Sequence, residues 1–139
     1  MRTLHLGLHV ADLQRSLDFY CAVGYEIVGQ VPETPLGHLA MLKLPGDELV
    51  TIELVYAPGG SAAGPGGAGL SHFVIKVDSM DDTLASLATH GINAEEPISP
   101  DGSADFQTTR ITDPDGTTIE LVQWPTGHAE GLTAADWST

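Results

Sequence analysis

Thr51-Ile52-Glu53-Leu54-Val55 recurs residue for residue as Thr118-Ile119-Glu120-Leu121-Val122. The shift is 67 residues, and it carries through the rest of the chain: His5 falls on His72, Val10 on Val77, Leu17 on Leu84 and Gly24 on Gly91. One shared pentapeptide would be weak evidence of a repeat. A constant offset from end to end is strong evidence. The chain therefore reads as a single domain over residues 1–124, built from two copies of one module at about 2–57 and 70–124. Residues 125–139 read as a flexible acidic tail.

Each copy reads as a strand, a helix and three further strands, giving an α+β fold of two tandem βαβββ modules. In the first copy, Thr3–Val10 alternates as a strand, and Asp12 is placed to cap a helix over 13–23. Gly24 follows as its stop. Strands are expected near 25–31, 37–44 and 48–56. In the second, a strand at 70–77 leads to a helix near 80–90, capped by Ser79 or Asp81 and stopped by Gly91. Strands near 92–98, 104–112 and 117–123 complete it, and Asp113-Pro114-Asp115-Gly116 makes a turn between the last two. Residues 58–69, rich in glycine, proline and alanine, form the linker. They lack the Lys-Ser/Thr ending of a phosphate loop.

Composition narrows the function. The chain has 139 residues, 42% of them hydrophobic, enough to bury a core. Its net charge of −14 includes only five cations, Arg2, Arg15, Lys43, Lys76 and Arg110, too few to neutralise a nucleic acid. Polyanionic ligands are disfavoured on the same ground. No apolar run is long enough to span a bilayer, and the N-terminus lacks the layout of a signal peptide, so a cytoplasmic location is expected. The single cysteine, Cys21, permits no intrachain disulfide and no multi-thiolate metal site. It is expected to be buried on a helix stripe with Leu13, Leu17 and Tyr20.

Strand parity then brings out four residues. His5 and His9 share one face of the first strand, and Leu4, Leu6 and Leu8 share the other. Glu53 points away from Ile52, Leu54 and Tyr56, as Glu120 does from Ile119 and Leu121. One such glutamate alone is best read as a solvent-facing residue of a half-buried strand. Two histidines and two glutamates in equivalent places are a different matter. If the copies pair by pseudo-symmetry, the four side chains can converge. Two imidazoles and two carboxylates suit one divalent transition ion per site, Ni²⁺, Co²⁺ or Zn²⁺, and not Ca²⁺.

The same residues carry a family resemblance. His5, Thr51–Val55 with Glu53, His72 in Ser71-His72-Phe73, and Asp113-Pro114-Asp115-Gly116 running to Glu120 resemble bacterial glyoxalase I, a lactoylglutathione lyase of the vicinal oxygen chelate superfamily. Val10-Ala11-Asp12-Leu13-Gln14-Arg15-Ser16-Leu17-Asp18-Phe19-Tyr20 is similar to that family's first helix. The resemblance implies a homodimer in which His5 and Glu53 of one subunit meet His72 and Glu120 of the other. It also implies a compact enzyme of the nickel- or cobalt-activated kind, converting the hemithioacetal of a thiol and a 2-oxoaldehyde to a 2-hydroxyacyl thioester. Such an enzyme would serve methylglyoxal detoxification. Glu120 would move the substrate proton, with Glu53 as the symmetry-related second candidate.

Two positions depart from the family pattern. The bacterial enzymes carry arginine at the place of His9 and asparagine at that of Ala57, where they hold the glutathione γ-glutamyl end. A thiol other than glutathione is therefore open. His9, Trp124, Lys76, Phe106 and Arg110 are the candidate substrate contacts, Trp124 falling on Ala57 under the repeat shift and Phe106 being a candidate lid. Other readings also stay open: another metalloenzyme of the superfamily, a dioxygenase or an epimerase, or an antibiotic-binding protein of the bleomycin-resistance type. His38, His90 and His128 read as structural or solvated.

Overall fold

The computed structural model describes residues 1–58 and 70–137, so the expected linker, apart from Pro58, lies outside the described residues. The elements are β1 (Leu6–His9), α1 (Leu13–Val23), β2 (Glu26–Val31), β3 (His38–Lys43), β4 (Ile52–Tyr56), β5 (His72–Lys76), α2 (Met80–Thr89), β6 (Gln107–Thr112) and β7 (Thr118–Gln123). A 3-10 helix, Ala134–Trp137, follows. The fold is α+β, with sheets ordered β1-β4-β3-β2 and β5-β7-β6. The repeat survives in the strand register. Gly7 of β1 lies opposite Glu53 of parallel β4, and Val74 of β5 lies opposite Glu120 of parallel β7, the same pairing moved by 67 residues.

Local chemistry explains the helices. Asp12 accepts from the Arg15 amide at the start of α1, and Gly24, at φ 129°, ends it in a conformation that disfavours a side chain. Ser79 accepts from the Asp82 amide at the start of α2, where Asp81 and Asp82 meet the positive end of the helix dipole. In the first copy α1 packs on β4, burying Leu17 and Tyr20 with Ala40, Leu42, Ile52 and Leu54. In the second, α2 packs on β7, burying Met80 and Leu87 with Ile75, Ile111, Ile119 and Leu121.

Two expectations need correction. Cys21 is exposed, because the buried stripe of α1 runs through Ser16, Leu17 and Tyr20. At 100° per residue Cys21 stands roughly 90° from the centre of that stripe. No strand forms at 92–98. Only an Ile98–Thr108 bridge and a Glu95 amide bond to the Arg110 carbonyl remain. Pro97 has no N–H to give a ladder, and Glu95 and Glu96 put like charges side by side. Over its described residues, 125–137, the tail carries the 3-10 helix, and the Thr126 amide donates to Asp105 Oδ2 at 3.1 Å.

The chain divides into two compact units, and the first takes in Asp113–Gly116, the turn joining β6 to β7. Within it, the Tyr20 hydroxyl donates to Asp113 Oδ2 at 2.7 Å. Ser16 Oγ donates to Asp115 Oδ2 at 3.2 Å, and the Ala11 amide to Asp115 Oδ1 at 3.0 Å. Burial, with the Asp113 charge second, pushes the Tyr20 phenol far above its ordinary pKa and keeps it a donor. A hydrogen bond to a buried charged acceptor contributes about 1.5–3 kcal/mol. Tyr20→Phe is therefore expected to destabilise the protein by that amount in urea unfolding. A loss below about 0.5 kcal/mol would show that this contact does not anchor the turn.

Candidate metal centre

Each copy sets one histidine against one glutamate. In the first, His5 precedes β1 and Glu53 lies in mid-β4, and β1 and β4 are adjacent in the sheet. His5 Nε2 stands 2.8 Å from Glu53 Oε2, with side chains 35% and 13% exposed. In the second, His72 opens β5 and Glu120 lies in mid-β7. His72 Nε2 stands 3.5 Å from Glu120 Oε2. The Ser71 hydroxyl lies 3.0 Å from His72 Nδ1, and were it to accept that ring's Nδ1–H, the Nε2 lone pair would be free for an ion held between it and Glu120.

The donor chemistry fits a borderline divalent ion. An ion bound at about 2.0–2.2 Å by an imidazole nitrogen and a carboxylate oxygen holds those donors roughly 3.0–3.4 Å apart, at octahedral or tetrahedral angles. The observed 2.8 and 3.5 Å lie close to that spacing. Among the described residues, no three His, Cys, Asp or Glu side chains are grouped to hold an ion. Each copy therefore offers two donors, a candidate half-site.

The surroundings of the two half-sites differ. Met41 pairs with Glu53 across β3 and β4, whereas Arg110 pairs with Glu120 across β6 and β7. The second half-site opens into a cavity of about 420 Å³ lined by His72, Glu120, Arg110, Glu95, Glu96 and Thr108, among others. Arg110 Nε donates to Glu95 Oε2 at 2.9 Å, so its charge is already engaged. The irregular segment at 95–96 that supplies this acidic wall carried no sequence pattern, because its place depends on the failed strand beside β6.

The other candidate contacts fall in varied places. His9 ends β1 and is exposed. Lys76 reaches Asp78 Oδ1 at 2.6 Å and Glu130 Oε1 at 3.5 Å, and its pKa is raised chiefly by the bond to Asp78. Phe106 and Trp124 stack at 5.6 Å between centroids, and Trp124 stacks in turn on His128 at 4.5 Å. His38 Nε2 lies 2.7 Å from Gln30 Oε1 on β2, and His90 caps α2.

With this geometry in view, comparison with known proteins is direct. The chain belongs to the Glyoxalase/Bleomycin resistance protein/Dioxygenase superfamily, whose model matches residues 2–121. It is 32% identical to the lactoylglutathione lyase of Escherichia coli O157:H7 over 126 residues, covering 88% of this chain and 93% of that one. Among solved structures it resembles a glyoxalase I mutant of Zea mays, with a TM-score of 0.74 and 26% identity over 89% of this chain and 45% of the maize chain. TnmS3, an antibiotic-binding protein from Streptomyces sp. CB03234, shares the fold at a TM-score of 0.66 and 21% identity, covering 88% and 96% of the two chains. Fold alone therefore does not separate lyases from binders. No helix among the described residues is long and apolar enough to cross a membrane.

Proposed function

We propose that this protein is a metal-dependent hemithioacetal isomerase of the glyoxalase I type, forming 2-hydroxyacyl thioesters from 2-oxoaldehyde adducts. The observation that carries this reading is the repeated His–Glu couple, His5 with Glu53 and His72 with Glu120, at equivalent places in two copies of one module. The similarity to lactoylglutathione lyases supports it. Each chain supplies two half-sites, and two chains pair so that His5 and Glu53 of one complete the set with His72 and Glu120 of a second copy.

A divalent nickel, cobalt or zinc ion held by these residues would polarise the substrate oxygens and stabilise negative charge on them. The chain's own work is to hold and move a proton. Glu120, 33% exposed at the cavity wall, takes the proton from the thiol-bearing carbon and returns it to the adjacent carbon, so the step is an isomerisation with no net gain or loss of atoms. Ser71 fixes the His72 ring, and Thr108 and Glu96 shape the wall.

The thiol is proposed to be other than glutathione. The anchors that the glyoxalase I pattern places at 9 and 57 are His9 and Ala57 here. Arg110 is paired with Glu95, and Glu96 adds a further negative charge to the cavity. Losing a charge-assisted contact to a carboxylate costs about 1.5–3 kcal/mol, or roughly ten- to a hundredfold in kcat/KM.

The test is a panel of methylglyoxal adducts with nickel-, cobalt- or zinc-loaded protein. It compares glutathione, 3-mercaptopropionate, 2-mercaptoethanol and 2-(dimethylamino)ethanethiol, whose tertiary amine avoids ring closure with the aldehyde. Turnover is expected to rise from the anionic thiols to the neutral and cationic ones, and His9→Arg with Ala57→Asn to raise kcat/KM for the glutathione adduct. Glutathione turnover at about 10⁴ M⁻¹s⁻¹ or better by the unaltered protein would contradict the thiol assignment. No turnover of any adduct, with tight binding of a small antibiotic, would contradict the isomerase assignment itself.

A further inference from the structure

The tail lies on a face with chemistry of its own. Side chains alternate along a strand, so His72, Val74 and Lys76 on β5 share a face with Thr118, Glu120 and Val122 on β7 and with Thr108 and Arg110 on β6. Trp124 follows β7 in that alternation and Phe106 precedes β6 in it. Both belong to the face that carries the His72–Glu120 couple. The tail closes over the same end: the His128 ring lies flat on the Trp124 indole, with planes inclined by 10°, and Glu130 reaches Lys76 at 3.5 Å. Val122, between Glu120 and Trp124, is buried, and the Trp124 Nε1 is buried with no hydrogen-bond partner among the described residues.

His128 is the fastening. Its Nδ1 lies 2.7 Å from the Ala129 carbonyl oxygen, and its Nε2 lies 2.7 Å from Asp136 Oδ1. Both partners are acceptors. A neutral imidazole has one N–H and can satisfy only one of them, whereas the imidazolium satisfies both. Its charge also suits the indole face beneath it. Asp136 is held in turn, its Oδ2 accepting from the Thr133 amide at 2.7 Å and from the Thr133 hydroxyl at 3.2 Å.

We infer that residues 125–137 form a strap across this end of the second sheet's site face, clasped by charged His128 between Trp124 and Asp136, and that deprotonation of His128 releases it. Among the described residues, Asp136 is the one charged side chain hydrogen-bonded to the ring. The other neighbours are the Ala129 carbonyl and the Trp124–Phe106 stack. The bond to the Ala129 carbonyl, with Asp136 second, raises the His128 pKa above its ordinary 6.5. The bond from the Thr133 amide, with His128 second, lowers that of Asp136 below 3.8. The signs fix the window. The histidine's contribution is complete below 6.5 and is lost as pH rises through its raised value. The aspartate's is complete above 3.8 and is lost as pH falls through its lowered value. The strap therefore holds between the lowered value of Asp136 and the raised value of His128, and opens as pH rises through the latter, uncovering Trp124 and Phe106. This device stands apart from the metal chemistry and holds whichever reaction the site performs.

Trp124 reports on the clasp. The chain has two tryptophans, and Trp137 is 70% exposed, so Trp137→Phe leaves Trp124 as the sole emitter with little disturbance. A stacked imidazolium quenches indole emission. Emission from that variant is expected to rise and shift to the red with a midpoint above 6.5, the ordinary histidine value. Adding Asp136→Asn should move the midpoint down towards that value, and His128→Phe should keep the ring stack while abolishing the titration. Amide exchange across 126–137, read against His128→Phe at each pH, should accelerate above the midpoint. A flat emission profile, a midpoint unmoved by Asp136→Asn, or an unprotected tail at pH 5.5 would each overturn the strap.

Discussion

Glu120→Gln is expected to lower kcat for hemithioacetal isomerisation by about 10²- to 10⁴-fold, the range that a positioned general base supplies. The amide keeps the shape of the side chain but cannot accept and return a proton. Because Glu120 is proposed both to hold the ion and to move the proton, the loss should fall on kcat and persist when metal is restored in excess. Glu53→Gln separates the roles. As the second member of a repeated pair whose cross-strand neighbour is Met41 rather than Arg110, Glu53 is expected to show a smaller loss of kcat and a comparable loss of metal. Equal kcat losses at saturating metal would instead mean that the two glutamates share the proton. Full activity in Glu120→Gln would remove it from the chemistry altogether.

His5→Ala and His72→Ala are each expected to remove most of the bound metal, by at least tenfold in affinity. A ligand set of two imidazoles and two carboxylates loses one of its two nitrogen donors in either variant. Elemental analysis of protein purified without chelator checks this, with close to one ion per site expected before substitution. Ser71→Ala probes the next layer. Loosening the hold on His72 Nδ1 should cost roughly 10-fold in affinity, the lower end of what outer-layer hydrogen bonds contribute to metal sites. If unaltered protein neither retains nor takes up a transition ion, the four residues are not a metal set. A metal-free binder of the bleomycin-resistance type then becomes the better account.

The sequence was most legible where the repeat constrained it. One pentapeptide, met twice at a constant offset, located β4 and β7, and His5 and His72 marked the equivalent first strands, whereas the pairing of β1 with β4 and β5 with β7 came only from the fold. The observed register keeps Gly7–Glu53 and Val74–Glu120 in equivalent positions. Polarity within a strand was equally readable, since a carboxylate between apolar neighbours must face away from the helix-packed side. Features set by contacts distant in sequence escaped. The turn at 113–116 reads as a turn from its proline and glycine, but only the fold shows Tyr20 and Ser16 bonded to its aspartates. Cys21 fits a four-residue apolar spacing from Leu17, yet Ser16 draws the buried stripe to its own side. The missing strand at 92–98 was foreshadowed by Pro97, which a count of β-forming residues passes over. The polar tail gave no sign of order, because its hold depends on a ring stack with Trp124 and Phe106.

The account turns on two half-sites completing one another between chains, and complementation measures that directly. His5→Ala and Glu120→Gln chains, each inactive alone, are co-expressed at equal levels and assayed with the best thiol adduct under saturating metal. In a mixed dimer one site collects both defects and the other is intact. With random pairing about a quarter of the unaltered specific activity should therefore return. Activity no higher than that of the separate variants, together with full activity of the unaltered protein as a monomer, would contradict sites shared between two chains.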